Sequence, residues 1–342
     1  MPDNVRMHIW DKQTHVTLKD VARLSGVSES AASVVMNGAK SGTRVSDSTK
    51  RRVLEAAEKL GYRPSMIARA LVTGRTNVIG IYSGRSVLDS RNGFYAEFLG
   101  GVFDAAQRFG LNSMIHTSGS GEHYLLELLS SRSLDGLIVH PGNNDPILPL
   151  IGELRIPAVA VADKISDLPC VSVDDRAGGA LLAKHLGARG HRHVLTKQTP
   201  YPPASSVERM ESFKRTANLL GIRVTERLET FYDGAGLDYD DIRLLTEGDD
   251  RATAVAAWTD DVAEQVCGTL DAIGVEIPGQ VAVVGFNGLA YPHLPKYQLT
   301  TIKAPWSEAS SKAVEILIDL IAGKGAPMST VLPIAFQRGN TT

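Results

Sequence analysis

Residues 16–75 read VTLKDVARLSGVSESAASVVMNGAKSGTRVSDSTKRRVLEAAEKLGYRPSMIARALVTGR, and this stretch differs in charge from the rest of the chain. Residues 1–76 contain 13 Lys and Arg against 7 Asp and Glu, whereas the remaining residues contain 23 against 31. A basic segment on an acidic body indicates a segment that meets a polyanion while the body stays in solution. A solvated helical cap is the alternative that charge alone leaves open.

Three short helices are predicted in this basic stretch. Thr17 followed by Asp20 is a capping-box-like start for the first helix, LKDVARLSG. Ser28 caps a second helix, ESAASVVMN, and Ser46 caps a third, DSTKRRVLEAAEKL. The apolar residues predicted to form their shared core are Leu18, Val21, Ala22, Leu24, Ala32, Val35, Met36, Val53, Leu54, Ala57 and Leu60.

The first two helices are joined by a tight turn at Ser25-Gly26-Val27, which is the helix-turn-helix pattern. In that arrangement the second helix enters the DNA major groove, where its first turns reach base edges. The hydroxyl and amide side chains predicted to hold phosphates are Ser28, Ser33, Ser46, Thr49 and Asn37. A three-helix bundle with another role is the alternative that the turn spacing leaves open.

The motifs LKDVARLSGVS, RVSDSTKRRVLEAAEKLGYRP and ARAL, in this order, resemble the bacterial lactose-repressor/galactose-repressor (LacI/GalR) family of transcription regulators. The resemblance extends along the whole chain. It implies that Ser65–Leu71 forms a hinge helix on operator DNA, with Leu71 wedged into the minor groove. A linker with a chance helical pattern is the alternative. The DNA contacts that the resemblance adds are Thr17, Leu18, Glu29, Ser30, Ala31, Val34, Tyr62, Ala68 and Leu71.

The second helix departs from the family pattern at a base-reading position. Val34 stands where the family usually has an arginine, and valine cannot donate a hydrogen bond, so a base contact there is apolar or absent. Glu29 either accepts from a cytosine amine or favours the helix N-terminus electrostatically, and both interpretations stay open. The loop GAKSGTRVS is longer than the family's common form and adds basic residues near the DNA backbone.

After residue 76 the sequence pattern changes to alternating strands and helices. Short β-rich runs such as VIGIY and QVAVVGFNG alternate with helical patterns such as HYLLELLSS, which predicts an α/β fold with parallel doubly wound sheets. The number of strands favours two lobes with a cleft between them. The resemblance implies a periplasmic-binding-protein-like core that crosses between lobes near Val173, Ala304 and Ser329.

These patterns give a prediction of the domain organisation. Residues 1–15 are a disordered leader, 16–63 the helix-turn-helix DNA-binding domain, 64–76 the hinge helix and linker, and 77–342 the effector-binding and dimerisation core. Within the core, the first lobe is placed at 77–173 and 304–328, and the second at 174–303 and 329–342.

Polar residues at the predicted strand ends are candidates for ligand contacts, because such side chains point into the cleft. They are Ser83, His140, Asp163, Asp260 and Asn287. By resemblance, Arg209 in its R-xx-S-F context holds ligand hydroxyls or a carboxylate. A sugar also needs aromatic faces against its ring, which Phe94, Tyr232 and Trp306 would supply.

Two features leave the ligand contacts open. Asp260 and Asp261 begin a predicted helix, so capping is the alternative role for at least one of them; the resemblance makes Asp260 the ligand contact and Asp261 the structural residue. Asn287 lies in VVGFNG, which lacks both aspartates of the family's VVGFDD, and Ser83-Gly84 replaces the common Val-Pro. The preferred ligand therefore need not be a plain hexose.

Several classes of protein are disfavoured by the sequence. It contains no nucleophile elbow, no phosphate loop of the G-xxxx-GK type and no metal-spaced His/Cys cluster, so we expect no enzyme activity, no metal and no cofactor. Gly178-Gly179 lies in a helical pattern and is expected to serve packing. Cys170 and Cys267 are expected to be buried, which is typical of a reducing compartment.

The chain shows no signal-peptide pattern and no apolar run near the roughly 20 residues of a membrane span, so we expect no membrane association and a location in the cytoplasm, on the nucleoid. We predict a transcription repressor that binds double-stranded operator DNA under the control of a sugar or sugar derivative. A homodimer is favoured because no heptad-patterned tail follows Phe336. A solute-binding receptor of the same core fold without a DNA role is the alternative.

Overall fold

Side-chain caps set the helix bounds in the first part of the chain. The computed structural model describes residues 16–37, 45–84, 93–117, 133–142, 145–228, 236–289 and 296–342. Thr17 and Asp20 form the predicted capping box, and the Ser46 hydroxyl accepts from the backbone amide of Thr49 over 3.3 Å. The resulting helices are α1 (Leu18–Ser25), α2 (Glu29–Asn37), α3 (Asp47–Leu60) and α4 (Met66–Thr73). The predicted leader lies outside the described residues.

Helices α1, α2 and α3 enclose a small core. Its buried residues are Val21, Ala22, Ala32, Val53, Ala56 and Ala57. The prediction was wrong for Leu24 and Leu54, which are both 46% exposed. Each lies one position away from the buried stripe, and one position turns a helical side chain by about 100°. Ser25 is buried in place of Leu24, and its hydroxyl donates to the carbonyl of Val21 over 2.7 Å.

Helix α4 begins and ends slightly later than the predicted hinge helix. Ser65 is its N-cap, since its hydroxyl accepts from the amide of Ala68 over 3.4 Å. The helix continues through Thr73 and ends at Gly74, whose φ of 70° is a left-handed conformation that favours glycine. Two more residues than predicted are therefore helical at its C-terminal end.

The chain separates into two compact units, residues 1–77 and 78–342. The second unit contains two six-stranded sheets, with strand orders β11-β5-β4-β3-β1-β2 and β12-β10-β9-β8-β6-β7. All neighbouring strands are parallel except β10 and β12. The strands are β1 (Val78–Ser83), β2 (Asn112–Thr117), β3 (Gly136–His140), β4 (Ala158–Val161), β5 (Cys170–Val173), β6 (His193–Gln198), β7 (Arg223–Leu228), β8 (Ala254–Ala257), β9 (Ala282–Asn287), β10 (Thr300–Lys303), β11 (Ser329–Leu332) and β12 (Ala335–Gln337).

Helices cover these sheets, as the alternating pattern predicts. They are α5 (Gly93–Arg108), α6 (Asp175–Ala188), α7 (Ala204–Leu219), α8 (Tyr239–Thr246), α9 (Asp260–Ala272) and α10 (Trp306–Ile321), with a 3-10 turn at Leu148–Glu153. Helices α5 and α10 pack on each other in the first lobe, which contains the first sheet. Helices α6 and α7 pack on each other in the second lobe. The helix predicted from HYLLELLSS lies outside the described residues.

The chain crosses between the two sheets three times: after β5, after β10, and between β11 and β12. The third crossing corrects a predicted boundary. Strand β11 pairs in parallel with β5 from Ser329↔Cys170 to Leu332↔Val173, so residues 329–332 belong to the first lobe. The extended backbone continues through this crossing, and no change in sequence pattern marks it.

Small residues allow the helices of the second lobe to approach closely. A Cβ on Gly179 would lie 2.1 Å from the carbonyl oxygen of Arg209, so α6 and α7 meet backbone to backbone at this point. The packing role predicted for Gly178-Gly179 is confirmed. Cys170 and Cys267 are free and buried, also as predicted. Among the described residues, no helix combines the length and apolarity that a membrane crossing requires.

Candidate DNA-binding surface and effector cleft

Helix α2 buries one side and exposes the other. Ala32 is fully buried against α1 and α3, whereas Glu29 and Ser30 are exposed and Val34 is half-buried. The Ser28 hydroxyl accepts from the amide of Ala31 over 3.2 Å, which fixes the start of the helix. The exposed side can therefore be read by a partner without disturbing the core.

The hydroxyls at the start of α3 form a cluster. The Ser46 oxygen lies 3.0 Å from those of both Ser48 and Thr49. Helix N-termini carry partial positive charge and free amide groups, which favour phosphate. The same unit carries exposed cations, which are Lys19, Arg23, Lys50, Arg51, Arg52, Lys59 and Arg63.

Helix α4 exposes apolar side chains in an otherwise polar setting. Leu71 is 83% exposed and Val72 is 50% exposed. Ala68, one turn before Leu71, is exposed as well. Leaving a leucine in water forgoes the roughly 1.5–3 kcal/mol that its burial would provide, so an exposed leucine on a short capped helix indicates a surface that meets a partner.

Arg209 of α7 is held on several sides in the second lobe. Its Nε and Nη2 donate to one carboxylate oxygen of Asp175, over 3.0 and 2.7 Å, and its Nη1 donates to the backbone carbonyl of Trp258. The guanidinium carbon lies 3.4 Å from the ring centroid of Phe286. The pKa of Asp175 is raised to about 6, mainly by burial; Arg209 lowers it, and nearby Asp163 contributes to the rise.

Asp163, just after β4, connects the two lobes. Its Oδ1 accepts from the backbone amide of Ser205, at the start of α7, over 2.8 Å. Its Oδ2 is buried and has no hydrogen-bond partner within the described part of the chain. A buried carboxylate oxygen without a donor is costly, so this oxygen indicates where a ligand or water completes the site.

Thr259, just after β8, has a second unpartnered atom. It is the N-cap of α9 in an extended conformation, yet its side chain makes no capping bond. Its Oγ1 is buried and lacks a partner among the described residues. Because a threonine at an N-cap usually uses its hydroxyl to cap the helix, this one is available to a ligand.

Asp260 follows Thr259 but has a different environment. It is fully buried, and its two oxygens accept from the Thr301 hydroxyl over 2.6 Å and from the Leu289 amide over 2.8 Å. Burial raises its pKa to about 6, although these hydrogen bonds lower it. Asp260 therefore ties α9 to β10 and to the loop after β9.

Aromatic side chains gather beside Asn287. The Trp306 indole donates to Asn287 Oδ1 over 3.0 Å, and Asn287 has a φ of 120°, which is rare for a residue with a side chain. Phe94 lies edge-on to Trp306 at 5.1 Å between centroids and 4.7 Å from the ring of His140. The Nδ1 of His140 donates to the carbonyl of Val161 over 3.1 Å.

Comparison with known proteins supports both parts. The model described as "Bacterial regulatory proteins, lacI family" matches residues 17–65, and "Periplasmic binding protein-like domain" matches residues 183–342. The HTH-type transcriptional repressor PurR of Vibrio cholerae serotype O1 is 30% identical over 325 residues, spanning 90% of this chain and 92% of that protein. The chain belongs to the LacI family of bacterial regulatory proteins.

Solved structures show the same fold for this LacI-family regulator. The lac repressor dimer bound to operator and the anti-inducer ONPF gives a TM-score of 0.79 at 22% identity, over 96% of this chain and 99% of that one. A LacI-family transcriptional regulator from Enterococcus faecium with bound ribose gives a TM-score of 0.66 at 25% identity, over 78% of this chain and 98% of that one. The predicted family and fold class are confirmed.

The predicted DNA contacts of this LacI-family regulator all lie in its first unit, on α1 to α4, on the residues that cap them, and at Tyr62 between α3 and α4. Their contacts with DNA stay predictions. Some also have internal roles: Ser28 and Ser46 cap helices, and the Asn37 amide nitrogen donates to the Ser33 hydroxyl over 3.2 Å. Tyr62 packs partly against the small core.

The predicted effector contacts have different environments. Asp163, Arg209, Asn287, Phe94, His140 and Trp306 take part in the network just described, and Ser83 is buried at the end of β1. Both oxygens of Asp260 accept hydrogen bonds within the chain, which favours a structural role, and its contact with a ligand stays a prediction. Tyr232 lies outside the described residues. The structure adds Thr259 and Asp175 as candidates that the sequence had not singled out, and the three polar residues after β8, Thr259 to Asp261, were the available signal for Thr259.

Proposed function

We propose that this LacI-family regulator is a repressor whose operator affinity is set by a sugar or sugar derivative bound between the lobes. Asp163 carries the proposal. One of its oxygens binds the second lobe and the other is buried without a partner, so a donor-bearing ligand would complete a contact that already spans both lobes. The similar Enterococcus faecium regulator contains ribose, a ligand rich in hydroxyl donors.

The aromatic cluster supports a sugar as the ligand. Sugars are recognised by polar groups that pair with hydroxyls and by an aromatic face against the ring's C–H surface. Asp163 and Thr259 supply polar atoms, and Phe94 is a half-buried ring beside Trp306 and His140. Trp306 itself is buried, so Phe94 is the better candidate for the ring contact.

For operator recognition we assign different tasks to α2 and α4. The exposed side of α2 reads bases in the major groove through Glu29, Ser30 and Val34, while the hydroxyl cluster at the start of α3 holds phosphates. Leu71 of α4 enters the minor groove. Exposed cations supply the salt-dependent part of the affinity.

A homodimer is supported by an apolar surface in the first lobe. Strand β2 is an edge strand, and its exposed side chains include Met114 and Ile115. Phe103 of α5 and Phe109, just after that helix, are exposed as well. An exposed strand edge with large apolar neighbours needs a cover, and a second copy of the chain would provide it. Two copies would also present two recognition helices to a pseudo-palindromic operator.

Coupling between ligand and DNA follows from this arrangement. Ligand binding at Asp163 changes the relation of the lobes, the dimer transmits the change, and paired α4 helices lose their fit to the minor groove. A coupling free energy of about 1–3 kcal/mol is typical of such systems. The DNA-binding module at residues 17–65 disfavours a solute receptor without a DNA role. A cytoplasmic site of action on the nucleoid, without catalysis, follows from the same proposal.

The experiment is selection of binding sites from a random duplex pool by the full-length protein, followed by fluorescence anisotropy with and without sugars. We expect a pseudo-palindromic site, an affinity that falls steeply with salt, and release by at least one sugar. The absence of any preferred sequence at moderate salt would contradict the DNA role. A preferred site that no sugar or sugar derivative affects would contradict the effector role alone.

A further inference from the structure

The guanidinium expected to bind the effector already holds a carboxylate of its own chain. Two N–H donors of Arg209, at Nε and Nη2, meet Oδ1 of Asp175, and both residues are only 4% exposed. A third donor, at Nη1, is used by the carbonyl of Trp258. Arginine has five such donors, so one on each Nη remains, but the Nε–Nη2 edge is occupied and the positive charge already has a counter-charge.

Arg209 is also restrained against turning toward another partner. Its guanidinium lies flat enough on Phe286 for its carbon to be 3.4 Å from the ring centroid. Its backbone meets α6 at Gly179, where even a methyl group would not fit. The ion pair of Arg209 and Asp175 is therefore held in one position, and its two charges cancel.

Asp163 adds a carboxylate that pairs with no cation among the described residues. Asp163, Asp175 and Arg209 together carry two negative charges and one positive charge. The two carboxylates sense each other, since Asp163 contributes to the raised pKa of Asp175 after burial itself. An incoming anion would meet this net negative charge at low dielectric, where like charges repel strongly.

The two unpartnered atoms, Oδ2 of Asp163 and Oγ1 of Thr259, indicate which chemical groups a ligand must bring to the cleft. Oδ2 of Asp163 only accepts hydrogen bonds, and the Thr259 hydroxyl both donates and accepts. A ligand hydroxyl satisfies either atom. A deprotonated ligand carboxylate or phosphate presents acceptors only, so such a group placed at Oδ2 of Asp163 would leave that oxygen without a donor and would repel it.

We propose that the effector carries no negative charge, and that Asp175 sets this specificity by occupying the guanidinium of Arg209. Uncharged polyhydroxylated ligands bind, whereas sugar acids and sugar phosphates are rejected. The inference rests on the proposed function and narrows its ligand class.

The test uses full-length protein and pairs of ligands that differ in charge: pentoses and hexoses with their uronic acids and monophosphates. Titration calorimetry measures the affinity for each member. We expect wild-type protein to bind a neutral member at least ten times more tightly than its acidic counterparts. Asp175→Asn removes the counter-charge of Arg209. In this variant, the ratio of the affinity for the neutral ligand to that for its acidic counterpart should fall by at least tenfold.

Asp174→Asn is the matched control. Asp174 is exposed, caps α6 and does not bond to Arg209, and asparagine is an equally good cap. It removes the same charge one residue away and should leave the ratio unchanged. Asp175→Glu keeps the charge and should keep the rejection, which separates specificity from any loss of folding.

Two results would overturn the inference. One is wild-type protein that binds an acid or phosphate as tightly as its neutral counterpart. The other is an Asp175→Asn protein that folds and shows no shift in the ratio. If an anion alone releases operator DNA, the inference fails and the proposed function stands. If no ligand in the set binds or changes operator affinity, both fail.

Discussion

Trp306 and Asn287 are joined by a hydrogen bond where the chain crosses from β10 to α10: the indole Nε1 donates to Oδ1 of Asn287 over 3.0 Å. Both residues are buried, and Asn287 has the unusual φ of 120°. The bond thus connects the last residue of β9, in the second lobe, to the first residue of α10, in the first lobe. It holds a strained backbone position at the junction of the lobes.

Trp306→Phe should destabilise the core by about 1–3 kcal/mol, because it keeps an aromatic ring and leaves the buried Asn287 oxygen without its donor. Urea unfolding followed by circular dichroism measures the change. An unfolding free energy within about 0.5 kcal/mol of wild type would show that the bond is not needed to hold Asn287.

Leu71→Ala should abolish specific operator binding while leaving the unfolding free energy unchanged, since Leu71 is 83% exposed. Anisotropy with the selected operator measures the effect. Val72→Ala is the control, because it trims an exposed apolar residue on the same helix and also favours helix. Equal affinity losses in the two variants would contradict a specific wedge role for Leu71.

Thr259→Val should weaken ligand binding without lowering stability, because the hydroxyl that it removes is buried and unpartnered. Thr301→Val is the contrasting variant. Its hydroxyl donates to Asp260, so its loss should cost about 1–3 kcal/mol of unfolding free energy. Calorimetry and urea unfolding on both proteins check the pair; a stability loss in Thr259→Val would indicate a partner for that hydroxyl.

Asp260 should make the core less stable as pH rises. Burial raises its pKa to about 6 in the folded state, above the ordinary value of 3.8 for an aspartate, so the folded state favours the protonated form. The stabilisation is complete below pH 4 and is lost as pH rises toward 6, amounting to about 3 kcal/mol. Unfolding of wild type and Asp260→Asn from pH 4 to pH 8 checks this. The stability of Asp260→Asn relative to wild type should rise with pH, and a constant difference would contradict the assignment.

The sequence predicted the local features well, because they depend on neighbouring residues. The capping box at Thr17 and Asp20 and the end of α3 at Gly61 require only residues a few positions apart. The errors at Leu24 and Leu54 arose because each lies one position from the buried stripe, where only packing decides which side chains face inward. Pattern alone could not select the inward face.

The sequence predicted which residues lie at the strand ends of the candidate site, but not which of them bond to one another. Asp163 and Asn287 lie at or just after strand ends, as the alternating pattern predicts, while their contacts with a ligand stay predictions. The residues after β8 differ in their partners for reasons that the local sequence does not contain. Asp260 accepts a hydrogen bond from Thr301, which is 41 positions away in the chain, whereas the Thr259 hydroxyl has no partner among the described residues. The pairing of Arg209 with Asp175 likewise joins two helices 34 positions apart. Such contacts exist only after the lobes have formed.

Asp163 uses its two oxygens for different purposes, and this affects how a ligand acts on the lobes. Because Oδ1 remains bound to the Ser205 amide, a ligand at Oδ2 does not have to displace the bond that already spans the cleft. A ligand at Oδ2 then adds a second contact between the lobes beside the existing hydrogen bond, so we expect the ligand-bound core to be the more stable one. We therefore expect an effector bound at Oδ2 to hold the two lobes together and not to force them apart.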